Sequence, residues 1–288
     1  MARVLYILIT LLMFCSCLKE EYPHNEYEEQ LVVEGSIEQD GVAKVMITIN
    51  MDHSDEISEE TLSSKIVKYA TVRVTDITND VDGDCETLVG IVDKKYPTQF
   101  VYRGSRIRGR VGGKYRLDID YSGRHWSATT TIPAPNELYD INTELVEGTP
   151  RMYRITAKIK PNPDDLPYMV QCATAFTKAD APTYFPPALF GIIEHCDKEC
   201  TITINRPLDY ENILEYSTLF LLSEDVYIRF CTMTEFGYKY WSLWENCTLN
   251  SLNPIFPVDE APPTNISGGA QGIWQGYGVS YYRIEPKF

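Results

Sequence analysis

The sequence is poor in the residues from which catalytic sites are usually built. It holds four histidines, His24, His53, His125 and His195, scattered along 288 residues, and none sits in a recognisable triad context. It contains no Gly-x-Ser-x-Gly, no His-Glu-x-x-His and no phosphate-binding loop. Those gaps argue against the most recognisable forms of acyl transfer, zinc hydrolysis and phosphoryl transfer. Gly268-Gly269-Ala270-Gln271-Gly272 is no dinucleotide fingerprint, since no strand is expected before it and no helix after it. It reads as a tight turn into the last strand. Positive charge is also short: 26 Lys and Arg stand against 41 Asp and Glu, a net charge of -15. Phosphate repels such a chain, which argues against nucleic acid as a partner and against spontaneous adhesion to an anionic membrane. There is no internal repeat and no low-complexity tract. What is present is ordinary for a packed protein: 44% hydrophobic, 12% aromatic and 23% charged residues. At about 150 residues per domain, the length suits one large or two modest domains.

The N-terminus speaks to location. Arg3 precedes an apolar run from residue 4 to residue 14, too short to span a bilayer as a helix, which takes about 20 residues. A short apolar core behind a positive tip is the pattern of a secretory signal peptide. It ends in Cys15-Ser16-Cys17, and a small residue directly before a cysteine is the pattern of a bacterial lipoprotein processing site. Cys17 is the expected acceptor, because Ser16 precedes it whereas bulky Phe14 precedes Cys15. Ordinary secretion with cleavage elsewhere is the alternative. Cleavage before Cys17 would remove Arg3 and leave 25 basic against 41 acidic residues, or -16, so lipid would be the only membrane tether. The following Leu18-Lys19-Glu20-Glu21 resembles the surface-export signal of Bacteroidota lipoproteins, in which a lysine and two acidic residues shortly after the lipidated cysteine direct the protein to the outer leaflet. A plain solvated tether is the competing reading.

Four segments are expected: a signal peptide (1–16), a lipidated stalk (17–30), a first β domain (31–133) and a second, aromatic-rich one (134–288). The stalk is charged and polar. In the first domain, runs at 31–37 and 44–49 flank an Asp40-Gly41 turn and predict a hairpin. After an acidic loop (52–60), further strands are expected at 70–77, 87–92, 99–102, 114–121 and 125–132. Seven short strands in about 100 residues predict an immunoglobulin-like β-sandwich. Tyr115, opening the penultimate strand, is placed to turn its hydroxyl back to nearby backbone, as in a tyrosine corner. Leu117, two residues on, stands where antibody domains carry a cysteine. Ile132-Pro133-Ala134-Pro135 reads as a stiff connector. Beyond it, strands are expected at 153–160, 168–176, 190–194, 200–205, 219–222, 226–233 and 276–284. One helix, over 236–249, would place Tyr240, Trp244 and Cys247 on one face. The fold class is therefore all-β, an immunoglobulin-like sandwich followed by a β-rich domain with a single helix.

Beyond Cys17 there are six cysteines, Cys85, Cys172, Cys196, Cys200, Cys231 and Cys247. In an exported chain they are disulfide candidates, with fifteen possible pairings. If all six pair, one bridge must cross the domain boundary, because only Cys85 lies in the first domain. His195, Cys196 and Cys200 offer three soft ligands, but a closed zinc site wants a fourth, and the short gap equally suits a small disulfide loop. Asp80-Val81-Asp82-Gly83-Asp84 concentrates carboxylates as calcium loops do, yet lacks the downstream acid of an EF-hand, so a solvated turn is the better reading. No metal or other cofactor is assigned. Aromatic side chains number 23 in residues 134–288 and 9 in residues 17–133. Tyr240, Trp241, Trp244 and Trp274 are the candidates for stacking on a ligand or anchoring a partner, with Tyr277, Tyr281 and Tyr282 as possible neighbours. Burial in a core is the competing expectation.

Several passages resemble a known family. They are Tyr27-Glu28-Glu29-Gln30-Leu31-Val32-Val33-Glu34-Gly35-Ser36-Ile37, then Tyr115-Arg116-Leu117 with Thr131-Ile132-Pro133, and finally Tyr240-Trp241 through Asn253-Pro254-Ile255-Phe256 to Pro263-Thr264-Asn265-Ile266-Ser267-Gly268-Gly269. These are similar to domain-of-unknown-function family 4249 of Bacteroidota lipoproteins, with a looser match over 140–225. The resemblance implies an outer-membrane lipoprotein often found alongside TonB-dependent transporters, with no established activity.

The expectation is thus a lipid-anchored protein on the exterior of the outer membrane, non-enzymatic, capturing a ligand or serving as an accessory to a TonB-dependent transporter in nutrient uptake. A surface hydrolase of glycan or peptide is one alternative, favoured by a concave pocket with two carboxylates at a working distance. A structural or adhesive surface protein is the other.

Overall fold

A computed structural model describes residues 28–286 apart from 53–54, 57, 150, 163, 165, 176–183, 185–186, 189, 197, 207–218 and 251–260. The expected processing site, with Cys17, Lys19, Glu20 and Glu21, lies outside the described residues, as does Asn253-Pro254-Ile255-Phe256.

Period-two sequence sets the first strands. β1 (Leu31–Glu38) turns Leu31, Val33 and Ile37 into a core and Glu34, Ser36 and Glu38 to its other face. β2 (Val42–Ile49) returns antiparallel through a turn that holds Asp40 at φ 59°, so the expected hairpin forms. In the acidic stretch that follows, a short helix α1 (Glu59–Ser64) forms, with the Ser58 hydroxyl accepting a hydrogen bond from the Thr61 amide at 3.1 Å.

Next come β3 (Thr71–Asp76), β4 (Cys85–Thr87), β5 (Val89–Val92), β6 (Phe100–Arg108), β7 (Lys114–Tyr121) and β8 (Arg124–Thr131). Strands β4-β3-β7-β8 form a four-stranded sheet that faces β1, β2, β5 and β6 across a core including Val33, Val45, Val74, Leu117 and Trp126. Tyr115 is fully buried and turns back as expected. Its hydroxyl accepts a hydrogen bond from the Arg110 amide at 3.0 Å and donates to the Arg108 carbonyl at 3.4 Å. Leu117 packs in the apolar core.

The second half repeats this layering. β9 (Leu138–Leu145), β10 (Met152–Ile159), β13 (Cys200–Ile204) and β14 (Phe220–Leu221) make another four-stranded sheet, in which β9 is additional to the strands expected from the sequence. The remaining strands are β11 (Tyr168–Ala175), β12 (Ile192–Ile193), β15 (Asp225–Thr232) and β16 (Gln271–Ile284). They do not form a sheet of their own. They extend the first large sheet, whose order is β12-β11-β15-β16-β1-β2-β6-β5. The all-β class holds, but the larger layer of the first sandwich is not confined to residues 31–133, and strands from both expected domains share it.

Strand β16 is the reason. It begins at Gln271 rather than at Gly276; over 271–277 it pairs in parallel with β1, and over 278–284 it pairs antiparallel with β15. Its even-numbered side chains face the interior: Trp274 enters the first core, while Tyr282 and Ile284 enter a second core with Tyr153, Ile155, Ile228 and Phe230. Glycine is required where this strand meets β1. A Cβ on Gly35 would lie 2.8 Å from the Trp274 ring, and one on Gly272, at φ +110°, would lie 1.9 Å from the Val33 carbonyl oxygen.

Both cores thus lie on one face of the eight-stranded sheet. The other face carries α2 (Glu235–Asn250), which packs Trp241 against Met169, Cys231 and Tyr277. No helix among the described residues is long and apolar enough to cross a membrane.

Candidate ligand-binding cleft

The sheet face opposite the two cores holds a cleft of about 290 Å³. Alternation builds its floor: of the residues of β1 that point away from the core, Glu34, Ser36 and Glu38 line it. Lys44 from β2, Arg103 from β6, Arg229 from β15 and Gln171 from β11 extend the polar floor to both sides. From β11 to β6 is five strand spacings, or about 24 Å at ~4.8 Å each. Trp241 of α2 and Tyr184 line it further, as do Asp93, Lys95 and Tyr96 of the β5–β6 turn.

Its centre is a fixed ion pair. Arg229 is buried, and its Nη2 lies 2.9 Å from Glu38 Oε2 while its Nε lies 3.2 Å from the same oxygen. The guanidinium also donates to the Gln171 side-chain oxygen and stands 4.9 Å from the centroid of the Tyr277 ring. The Tyr281 hydroxyl donates to the Glu38 carboxylate at 2.9 Å. Burial pushes the Glu38 carboxyl up, but the charge and hydrogen bonds of Arg229, with help from Lys44 and Tyr281, outweigh it and hold the group below its usual range.

Glu34 is the opposite case. Protein surrounds it except where the cleft admits solvent, and it makes no hydrogen bond or ion pair with any described residue. Burial alone pushes its carboxyl up to about 8. At neutral pH it is mostly protonated and so can donate a hydrogen bond. Nearby, burial also raises the phenols of Tyr240 and Tyr277, and the Glu34 charge adds to this. One strand therefore presents a neutral acid and an ionised, anchored carboxylate, four residues apart.

The aromatic candidates divide between two faces. Trp241 lines the cleft, and its Nε1 donates to the Tyr277 hydroxyl at 2.8 Å. Tyr240 and Trp244 pack edge-on to it, with ring centroids 5.2 and 5.5 Å away, and are half-buried. Trp274 does not join them. An even position on β16 buries it completely in the first core, where its Nε1 donates to the Tyr115 carbonyl at 3.0 Å. Of the suggested neighbours, Tyr277 and Tyr281 reach the cleft, and Tyr282 faces the second core.

Among the described residues the cysteines form one bridge, Cys196–Cys200. That consumes both thiols of the possible His195-Cys196-Cys200 metal site. Cys85, Cys172, Cys231 and Cys247 are not in disulfides, so among the described residues no bridge joins those before and after 133. Strand parity explains part of this. Cys172 faces the second core and Cys231 the opposite face of the sheet, and burial pushes both thiols up to about 12. The Asp80–Asp84 turn has its carboxylates opposite cations: Asp80 lies 2.9 Å from Lys114, Asp82 2.7 Å from Arg116 and Asp84 3.6 Å from Arg106. Asp55 of the acidic stretch pairs with Lys65 at 3.0 Å. Among the described residues no three His, Cys, Asp or Glu side chains converge as a metal site would need.

Glu34, Glu38, Lys44, Arg103 and Arg229 were not singled out in the sequence. The available signal was the polar phase of β1, but nothing local shows that the same phase of five other strands continues the surface.

Fold and cleft together define an all-β protein in which a single sheet backs two cores on one side and a charged, aromatic-walled cleft on the other. Residues 19–280 match a family model described as Domain of unknown function (DUF4249), and the chain belongs to that family. None of the curated proteins matches it.

Proposed function

We propose that this protein is a non-catalytic surface lipoprotein that captures a small ligand in its cleft and serves a TonB-dependent transporter in the outer membrane. The observation that carries the capture role is the cleft itself: a concavity across a rigid sheet, with aromatic walls and a few fixed polar groups, has the makeup of a ligand site. The location rests on the sequence, on the apolar leader ending at Cys17 and on Lys19, Glu20 and Glu21 after it. An acidic body so tethered is held at the membrane by acyl chains alone.

A surface hydrolase is the second reading, and one observation favours it: Glu34 bears a proton near an ionised Glu38. Two features weigh against it. Glycosidase carboxyls stand ~5–9.5 Å apart, whereas residues four apart on a strand have Cα atoms ~13 Å apart. Glu38 is moreover held by Arg229 and Tyr281 rather than presented to a substrate.

The test is purification of the native protein from detergent-solubilised outer membranes, with mass analysis of its N-terminus. The expected result is an acylated Cys17 and a co-purifying transporter, and protease added to whole cells should digest the protein. A bare terminus, or repeated isolation as a lone monomer, would overturn the proposal.

A further inference from the structure

The cleft holds an unusual pair of charges. Lys44 on β2 and Arg103 on β6 are direct cross-strand partners on the cleft face. Side chains so opposed have Cβ atoms about 4.5–5.5 Å apart, and like charges in that position destabilise a sheet. A carboxylate nearby would relieve the repulsion, and the chain has 41 acidic residues to supply one. Yet neither Lys44 nor Arg103 makes an ion pair with any described residue. Elsewhere in the protein guanidinium groups do find carboxylates: Arg73 with Asp120, Arg110 with Asp76, Arg116 with Asp82, Arg206 with Glu224 and Arg283 with Asp225. Glu38, close enough for Lys44 to act on its charge, is already committed to Arg229 and Tyr281. On the other side of Arg103 the facing residue is Val89.

Charge over the whole cleft points the same way. Among its cations Arg229 is matched by Glu38, which leaves the positive charge of Lys44 and Arg103 unpaired with any described residue of the lining. The whole chain carries -15. A positive concavity in so acidic a protein focuses field on one spot and selects for negative charge there. Glu34 on the same floor adds a hydrogen-bond donor, which an oxyanion can use.

We infer that the cleft binds a small anionic molecule, its carboxylate or phosphate group seated between Lys44 and Arg103. The guanidinium supplies a planar fork and the ammonium a point charge, a donor set that suits either oxyanion. Trp241 and the tyrosines are placed to cover the body of the molecule. This inference rests on the ligand-capture reading and adds the class of ligand to it.

The test is calorimetric titration of the full mature chain at pH 7 with three probes that share one ring: glucuronate, glucose 6-phosphate and glucose. At least one anion should bind about tenfold or more tightly than glucose, and its affinity should fall as salt rises. Preference for glucuronate identifies a carboxylate ligand, and preference for glucose 6-phosphate a phosphate ligand. Lys44→Met and Arg103→Gln should each weaken the anion by about tenfold. Lys44→Arg, which keeps the charge, should retain binding and guards against a merely unfolded variant. Glucose binding as tightly as both anions, or anion binding untouched in both charge-removing variants, would overturn the inference while leaving ligand capture intact. So would failure of both anions to bind; the wider reading is judged separately, by acylation and co-purification.

Discussion

Arg229 and Glu38 are 191 residues apart in sequence and on strands that are not neighbours, yet their side chains meet at 2.9 Å over the intervening β16. The pair fastens the second half of the chain to the first from above the sheet. Replacing Arg229 with Met leaves a carboxylate in a poorly hydrated site, and breaking a buried pair in this way costs about 3–5 kcal/mol. Urea denaturation at pH 7 should show that loss, and adding Glu38→Gln should recover part of it. The sign of the pH effect follows from the direction of the shift. Because the folded protein holds Glu38 below its ordinary value of 4.5, the pair contributes above that pH, and the contribution fades as pH falls through the lower folded value. The wild type should therefore lose its advantage over the Arg229→Met protein in acid.

Glu34 should behave in the reverse sense. Folded, it keeps its proton up to about 8, whereas unfolded it releases it near 4.5. Between those values the native state binds more protons, so stability declines as pH rises and levels off above about 8. Glu34→Gln removes the decline. The whole shift corresponds to about 5 kcal/mol, and solvent standing in the cleft screens part of it, so we expect the variant to be more stable than wild type by roughly 2 kcal/mol at pH 9. Below pH 4 the two should coincide. Denaturation curves that run parallel at all pH values would refute this account of Glu34.

Gly272→Ala addresses the parallel pairing of β1 with β16. The added carbon would occupy the space of the Val33 carbonyl, at a backbone angle that L-residues rarely adopt. A loss of about 3 kcal/mol or more is expected. Tryptophan emission should report it, because Trp274 lies two residues away.

Tyr115→Phe tests the buried turn of the first core. It leaves the Arg110 amide and the Arg108 carbonyl without their shared partner. A cost of about 1–2 kcal/mol is expected, with no change in affinity for any ligand of the cleft. Thermal denaturation measures the first and titration the second.

Much of the fold was legible because its determinants are local. The hairpin of β1 and β2, the buried Tyr115, the helix over 235–250 and the small Cys196–Cys200 loop follow from alternation, turn residues, 3.6-residue periodicity and close spacing. The sharing of one sheet was not legible. Ile132-Pro133-Ala134-Pro135 reads as a connector, but nothing in it discloses that Gly276 and Gly278 pack against the carbonyls of Thr131 and Pro133. The cleft was hidden for the same reason. Its floor takes residues from six strands, and only their registers bring Glu34, Lys44, Arg103 and Arg229 onto one surface. Trp274 shows the limit most sharply: three residues from Tyr277, it belongs to the other side of the sheet.

The dual pairing of β16 bears on how the polypeptide reaches its final state. As synthesis proceeds from the N-terminus, β1 has a vacant edge and the first core a hole shaped like an indole until residues 271–284 emerge, and the second core waits for the same segment. Closure of either half early in biogenesis is thereby disfavoured, and a fragment cut at residue 133 inherits an unsatisfied strand edge that invites aggregation.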